Sequence, residues 1–317
     1  MNPNKFQVGL QDILHAQRRL KDVIRLTPLI QSAYHPEVYF KVESLQVMGS
    51  FKIRAAFNEM SLLSAAQKQR GIVTSSSGNF AQGVAYASKQ LGVSAKVVMM
   101  KSSNPSKIER TRQCGAEVVF CEDRFEARAQ KVKEIQALED RTAIHPYDHP
   151  SVIAGNGTLA LEILEQLPEV ENIVVPISGG GLISGIAIAA KTRRPNVRIW
   201  GVQPQKSNAT YLSFQAKKIV SIESAHTIAD GLTVTRPGEL TFLIIKALVD
   251  GVEAVEEESI LQAVHHYLLE ERLVVEPSGA VPLAAAFEGK IPLRRTVLVL
   301  SGGNISPDLM AQTAASS

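Results

Sequence analysis

The stretch Gly71–Met100, GIVTSSSGNFAQGVAYASKQLGVSAKVVMM, decides the fold. GIVTSS reads as a strand, AQGVAYASKQLG as a helix closed by Gly92, and AKVVMM as a second strand. The pattern continues downstream. NPSKIERTRQCG is a helix with Asn104 as its cap, Pro105 at its first position and Gly115 as its stop. AEVVF is a strand, and RFEARAQKVKEIQAL a charged helix. This is β-α-β-α-β, the signature of a parallel sheet covered by helices.

A second series follows HPYDHPS, His145–Ser151. VIAGNGTLALEILEQL is helical, NIVVPI a strand, LISGIAIAAKTR a helix and VRIWGV a strand. VEAV is a short strand, EEESILQAVHHYLLEER a helix with an acidic first turn that suits its dipole, and TVLVL the last strand. No repeat of fixed period and no low-complexity tract interrupts them. The expectation is an α/β chain of two lobes, 71–148 forming the smaller and 1–70 with 149–317 the larger.

Composition narrows the function classes. Of 317 residues, 45% are hydrophobic and 21% charged, so a sizeable core is available. Lys and Arg number 34 against 31 Asp and Glu, a net charge of only +3. The densest basic cluster, KTRRP at Lys191–Pro195, reads as a helix end with a proline stop, which gives no support to nucleic-acid binding. Cys114 and Cys121 form neither a C-x-x-C pair nor a secreted disulfide framework. The start MNPNKFQVGL lacks an apolar signal core, and GLISGIAIAA is too short to span a bilayer. A cytoplasmic protein without a membrane partner is expected.

Three strands run into small-residue turns: Ser75-Ser76-Ser77-Gly78-Asn79, Ser178-Gly179-Gly180-Gly181-Leu182 and Ser301-Gly302-Gly303-Asn304. Ligands of parallel α/β sheets bind beyond such strand ends, and a helix N-terminus favours an anion. The triple glycine, three residues without Cβ, can close backbone amides around a phosphate or be a plain tight turn. A nicotinamide dinucleotide fits poorly. Ser184 stands where a third glycine belongs, and VRIWGVQP supplies no acidic residue for a ribose. No G-x-x-x-x-G-K-[ST] occurs for a nucleoside triphosphate. A small phosphorylated cofactor remains, and a lone lysine, Lys52 between Phe51 and Ile53 in VMGSFKIRAAFNEM, is either an ordinary solvated helix residue or a buried amine held for covalent chemistry with it.

SFKIRAAFNEM, SSSGNFAQGVAYASKQLGV, VIAGNGTLALEIL, SGGGLISGIA, VVEPSGA and LSGGN together resemble the fold-type II enzymes that use pyridoxal 5′-phosphate (PLP), within their serine/threonine dehydratase and serine racemase branch. The similarity runs from about Thr27 to Asn304, with the motifs in the family's order. The resemblance implies a two-lobed, tryptophan synthase β-like α/β fold with parallel-rich sheets flanked by helices. The larger lobe would bind the cofactor and the smaller close over substrate.

It implies Lys52 as the Schiff-base lysine and, once displaced, the base at Cα. Gly179, Gly180, Gly181 and Leu182 would hold the phosphate, with Ser178 beside them. Asn79 would meet the phenolic oxygen and Ser301 the pyridine nitrogen, with Phe51 and Glu276 close by. Ser76, Ser77 and Gly78 would receive the substrate carboxylate. The implied reaction is an ammonia-lyase (dehydratase) conversion of a β-hydroxy amino acid, such as L-serine, L-threonine or a related 3-hydroxy amino acid, to a 2-oxo acid and ammonia. A serine-type racemase with side dehydratase activity, or a β-replacement synthase, is the alternative. The implied partners are a small amino-acid substrate and a second copy of the chain in a homo-oligomer, a dimer.

Some positions depart from the family pattern or leave two roles open. Ser77 could deliver a proton on the face opposite Lys52, or bind only the carboxylate. Phe80 follows Asn79 where the family usually has histidine, and either makes the substrate rim apolar or merely packs. Gln203 and Ala209 replace the acidic side chains of relatives with a divalent-metal site, so no such metal is expected. Arg128 could face the active site and pair with a second substrate carboxylate, or lie on a solvated helix face. His145 and His149 suggest loop packing between the lobes rather than a metal pair. Glu162 and Glu165 read as a solvated helix face.

Overall fold

A computed structural model of the chain describes residues 6–103 and 105–315; the cap expected at Asn104 lies outside them. Among the described residues, ten strands form two sheets. They are β1 Leu29–Gln31, β2 Val38–Val42, β3 Ile72–Ser75, β4 Ala95–Met100, β5 Glu117–Cys121, β6 Thr142–Ala143, β7 Asn172–Pro176, β8 Arg198–Pro204, β9 Gly251–Val255 and β10 Thr296–Leu300. The larger sheet has the order β1-β2-β10-β7-β8-β9 and the smaller β5-β4-β3-β6. Every pairing is parallel except β1 with β2. The fold is α/β, with parallel-rich sheets flanked by helices.

The larger sheet is covered on both faces, which explains its unbroken apolar strands. Along β10, Val297 and Val299 face one core while Leu298 and Leu300 face another; on β7, Ile173 and Val175 oppose Val174 in the same way. Period-two alternation therefore feeds two cores from one strand. A third core lies between β3 and β4 and the helices Lys52–Ser61 and Asn79–Leu91. Gly92 and Gly115, the predicted helix stops, take positive φ of 64° and 92°. No helix among the described residues is long and apolar enough to cross a membrane. Both cysteines are free thiols.

Glu162 is buried, not solvated, and belongs to an ion cluster that anchors the helix beginning at Lys52. Arg54, two residues into that helix, uses all five of its donors. They reach Glu43 twice at 2.8 Å, Glu162 at 2.6 and 3.0 Å, and Thr158 Oγ1 at 3.1 Å. Lys41 Nζ, from β2, lies 2.6 Å from Glu162, and Thr27 Oγ1 donates to Glu43 at 2.6 Å. Two cations and two anions cancel, and the pairing offsets a desolvation penalty that isolated charges would not survive. Burial alone would raise Glu43, but Arg54 holds its carboxyl below the ordinary range. Glu165 is exposed, as read.

Candidate active site

The three turns meet above the C-terminal ends of β3, β7 and β10, and backbone pairing fixes Lys52 among them. Phe51 N donates to the Ser301 carbonyl at 3.1 Å, and Ser50 forms a β-bridge with Gly302. Gly302 is required by this approach: a Cβ there would lie 2.5 Å from Glu276 Oε1. Helix Asn79–Leu91 also packs closely, and a Cβ on Gly83 would lie 3.3 Å from the Lys52 carbonyl.

The Lys52 amine reaches the cleft between two aromatic faces, 4.9 Å from the Phe51 centroid and 5.8 Å from that of Phe80. Among the described residues it has no hydrogen-bond partner. Burial lowers its pKa to about 8, against the opposing pull of Glu276. Glu276 itself is pushed up to about 7 by burial and then by Asp230. Its Oε1 accepts from Asn79 Nδ2 at 2.6 Å, and Asn304 Nδ2 donates to Asn79 Oδ1 at 2.9 Å. These contacts fix the Asn79 amide and leave its second N–H for another acceptor. Ser301 is buried, at the end of β10.

The triple-glycine turn opens helix Gly181–Arg193. Among the described residues none of the four amides at 179–182 donates a hydrogen bond. Gly180 has φ +95°, and Cβ atoms at Gly179, Gly180 and Gly181 would meet neighbours at 2.4, 2.7 and 2.8 Å. Side chains are thus excluded from a cradle of free N–H groups at a helix start, the chemistry a phosphate dianion needs. The residues present fit the phosphate of PLP.

The serine turn is built in the same way. Ser77 Oγ accepts from Ser103 Oγ at 2.8 Å, and Gly78 N donates to Ser76 Oγ at 3.3 Å. The amides of Ser77, Asn79 and Phe80 make no hydrogen bond among the described residues. Phe80 is a buried core residue that walls the Lys52 amine rather than an exposed rim. Arg128 is not on a solvated face. It is half-buried near Cys121 and Tyr147, and burial lowers its pKa. Gln203 is buried, and its side-chain oxygen accepts from Tyr211 N at 2.8 Å.

Sequence reasoning passed over Tyr147, Asp148 and Thr241. The Tyr147 ring packs on Gly179, Asp148 caps helix Glu239–Leu248, and Thr241 Oγ1 donates to the Gly179 carbonyl at 2.6 Å. The only signal was HPYDHP itself, a polar segment joining the two series. His145 Nδ1 accepts from Asp148 N at 2.8 Å, and His149 pairs with Glu59 at 2.9 Å, so both rings serve the loop.

Comparison with known proteins agrees with this geometry. Residues 20–302 match the family model described as pyridoxal-phosphate dependent enzyme. The chain is 42% identical over 314 residues to the catabolic L-threonine dehydratase TdcB of Escherichia coli (strain K12), covering 96% of this chain and 95% of that protein. It is 37% identical to a serine racemase of Schizosaccharomyces pombe, covering 96% and 97%. The solved structure of maize serine racemase superposes with a TM-score of 0.93 at 36% identity, covering 98% and 97%. A polar cradle, a free buried amine and a full-length match lead to one conclusion: the chain belongs to the pyridoxal-phosphate dependent enzyme family, and its cofactor is PLP.

Proposed function

We propose that this chain is an ammonia-lyase of β-hydroxy amino acids such as L-serine, L-threonine or a related 3-hydroxy amino acid, releasing a 2-oxo acid and ammonia. The observation that carries the reading is a free, buried amine at Lys52, with the backbone of the neighbouring Phe51 paired to Ser301 at the end of β10. The full-length similarity to an L-threonine dehydratase supports it. In this reading the amides of Gly179, Gly180, Gly181 and Leu182 hold the phosphate, Asn79 the phenolic oxygen and Ser301 the ring nitrogen, with Phe51 and Glu276 alongside. Bound PLP supplies an electron sink for the bond broken at Cα.

The chain's own residues then divide the work. The turn Ser76–Gly78 and the amides after it receive the substrate carboxylate. Lys52 Nζ takes the Cα proton, a task for which burial keeps it partly neutral near pH 7. Ser301 would donate a hydrogen bond to the ring nitrogen without enforcing a full positive charge there, which would favour loss of the β-hydroxyl over competing chemistry. Water departs, and the released unsaturated amine takes up water to give the 2-oxo acid and ammonia. The 71–148 segment closes on substrate. Helix Pro105–Gln113 already meets the larger sheet's loops through Lys107 on Asp230 and Arg110 on Asn304. Phe80 walls the amine, and Arg128, near Tyr147, would pair with a second substrate carboxylate.

A racemase is the second reading, favoured by Ser77. Its oxygen accepts from Ser103, leaving its own proton to give on the substrate. L-serine, L-threonine and L-phenylserine, assayed for oxo-acid release and for inversion at Cα, separate the two. Stoichiometric oxo acid and ammonia is the expected result; accumulation of the D-enantiomer with little oxo acid would overturn it.

A further inference from the structure

The crossover segment His145–Pro150 is tied to the triple-glycine turn by a closed set of hydrogen bonds. Asp148 Oδ2 accepts from Glu239 N at 2.9 Å and Oδ1 from Thr241 N at 3.0 Å, so one carboxylate caps two amides of the helix Glu239–Leu248. Thr241 Oγ1 donates to the Gly179 carbonyl at 2.6 Å, and Gly238 N donates to the same oxygen at 3.3 Å. Ser184 Oγ donates to the Thr241 carbonyl at 3.3 Å, returning the ring of contacts to helix Gly181–Arg193. Tyr147 closes the other side. A Cβ on Gly179 would lie 2.4 Å from its ring, while one on Gly180 would lie 2.9 Å from Thr241 Cβ.

The consequence follows from peptide geometry. In a planar trans peptide the carbonyl and the next N–H point in opposite directions. Two donors hold the Gly179 carbonyl toward Thr241, so the Gly180 N–H is aimed away from Thr241 and stays with the other free amides of the turn. Without those donors a glycine peptide rotates cheaply, because no Cβ resists it. We propose that Thr241, held in register by Asp148, is a positioning residue for the cofactor phosphate: it sets the direction of the Gly180 N–H. The crossover segment thereby links the smaller sheet to the grip on the cofactor. The proposal rests on the reading of 179–182 as the phosphate cradle.

The test compares two ligands, PLP and pyridoxal, which has the same aldehyde and ring but no phosphate. Each is titrated into cofactor-stripped full-length protein, with imine absorbance as the readout. Thr241→Val should weaken PLP about ten-fold, the scale of a buried acceptor losing one of two donors, and leave pyridoxal unchanged. Thr241→Ser should restore PLP affinity, and Asp148→Ala should weaken PLP in the same selective way. Equal loss of both ligands in Thr241→Val would mean a general structural role and would overturn the proposal. So would an unchanged ratio of PLP to pyridoxal affinity, provided Gly180→Ala lowers that ratio. If Gly180→Ala also leaves the ratio untouched, the cradle reading itself fails and takes the proposal with it.

Discussion

The pH dependence of cofactor capture gives the amine at Lys52 a quantitative test. Imine formation needs the neutral amine. A solvated lysine at its ordinary 10.5 is about 0.03% neutral at about pH 7, whereas a pKa of about 8 makes it about 9% neutral, a gain of about 300-fold. Burial between Phe51 and Phe80 produces this shift, and the Glu276 carboxylate opposes it. The rate of pyridoxal addition to stripped protein, followed by stopped-flow absorbance, should rise about ten-fold per pH unit below about 8 and level off above it. Pyridoxal avoids the phosphate's own titration. Glu276→Gln removes the opposing anion, so the midpoint should move down and capture near pH 7 should quicken, with little change on the plateau. A rate still climbing ten-fold per unit through about pH 9.5 would mean that the amine titrates like an exposed lysine. The burial reasoning would then be wrong. An upward shift of the midpoint in Glu276→Gln would contradict the assigned electrostatics.

Other perturbations reach the rest of the structure. Ser301→Asp should lower oxo-acid release from L-serine at least ten-fold while the imine still forms; an unchanged turnover number would remove the hydroxyl from the explanation. Arg54→Met strands Glu43 in the core and should destabilise the fold by about 3–5 kcal/mol, read by urea denaturation. Its pH response should also reverse. In the parent the Glu43 pKa is depressed, so its contribution is present above the unfolded carboxylate value and lost as pH falls through the folded one. In the variant burial raises the same group, so stability should increase on acidification through its new pKa. Lys107→Met cuts a partly exposed bridge worth up to about 1 kcal/mol, so substrate KM should rise up to about five-fold while PLP affinity stays fixed. A parallel loss of PLP affinity would show that the bridge does not act through closure.

What the sequence disclosed was local, and what it hid was remote. The β-α-β run from Gly71 is legible because strand and helix periodicities alternate within a few residues, with Gly92 and Gly115 marking the stops. The triple glycine is legible because three residues without Cβ leave few structural options. Glu162 was misread because a charge on a helix ordinarily faces water, and nothing nearby announces a partner 108 residues away at Arg54. Lys41 likewise interrupts an otherwise apolar strand for the sake of that cluster. Asp148 carries no local signal, since the amides it caps lie 91 and 93 residues further on. The helix Pro277–Phe287 carries Pro282 inside it and has Glu276 as its cap, a pattern that weakens any periodicity signal. Long-range polar partners have no local signature, so the motifs located the site while its supporting contacts emerged only in three dimensions.

The central claim is the covalent one, and borohydride reduction of the PLP-loaded protein followed by peptide mapping tests it directly. A phosphopyridoxyl group on Lys52, absent in Lys52→Ala together with the yellow colour and the activity, is the predicted result. Modification of a different lysine, or full colour and turnover in Lys52→Ala, would contradict it.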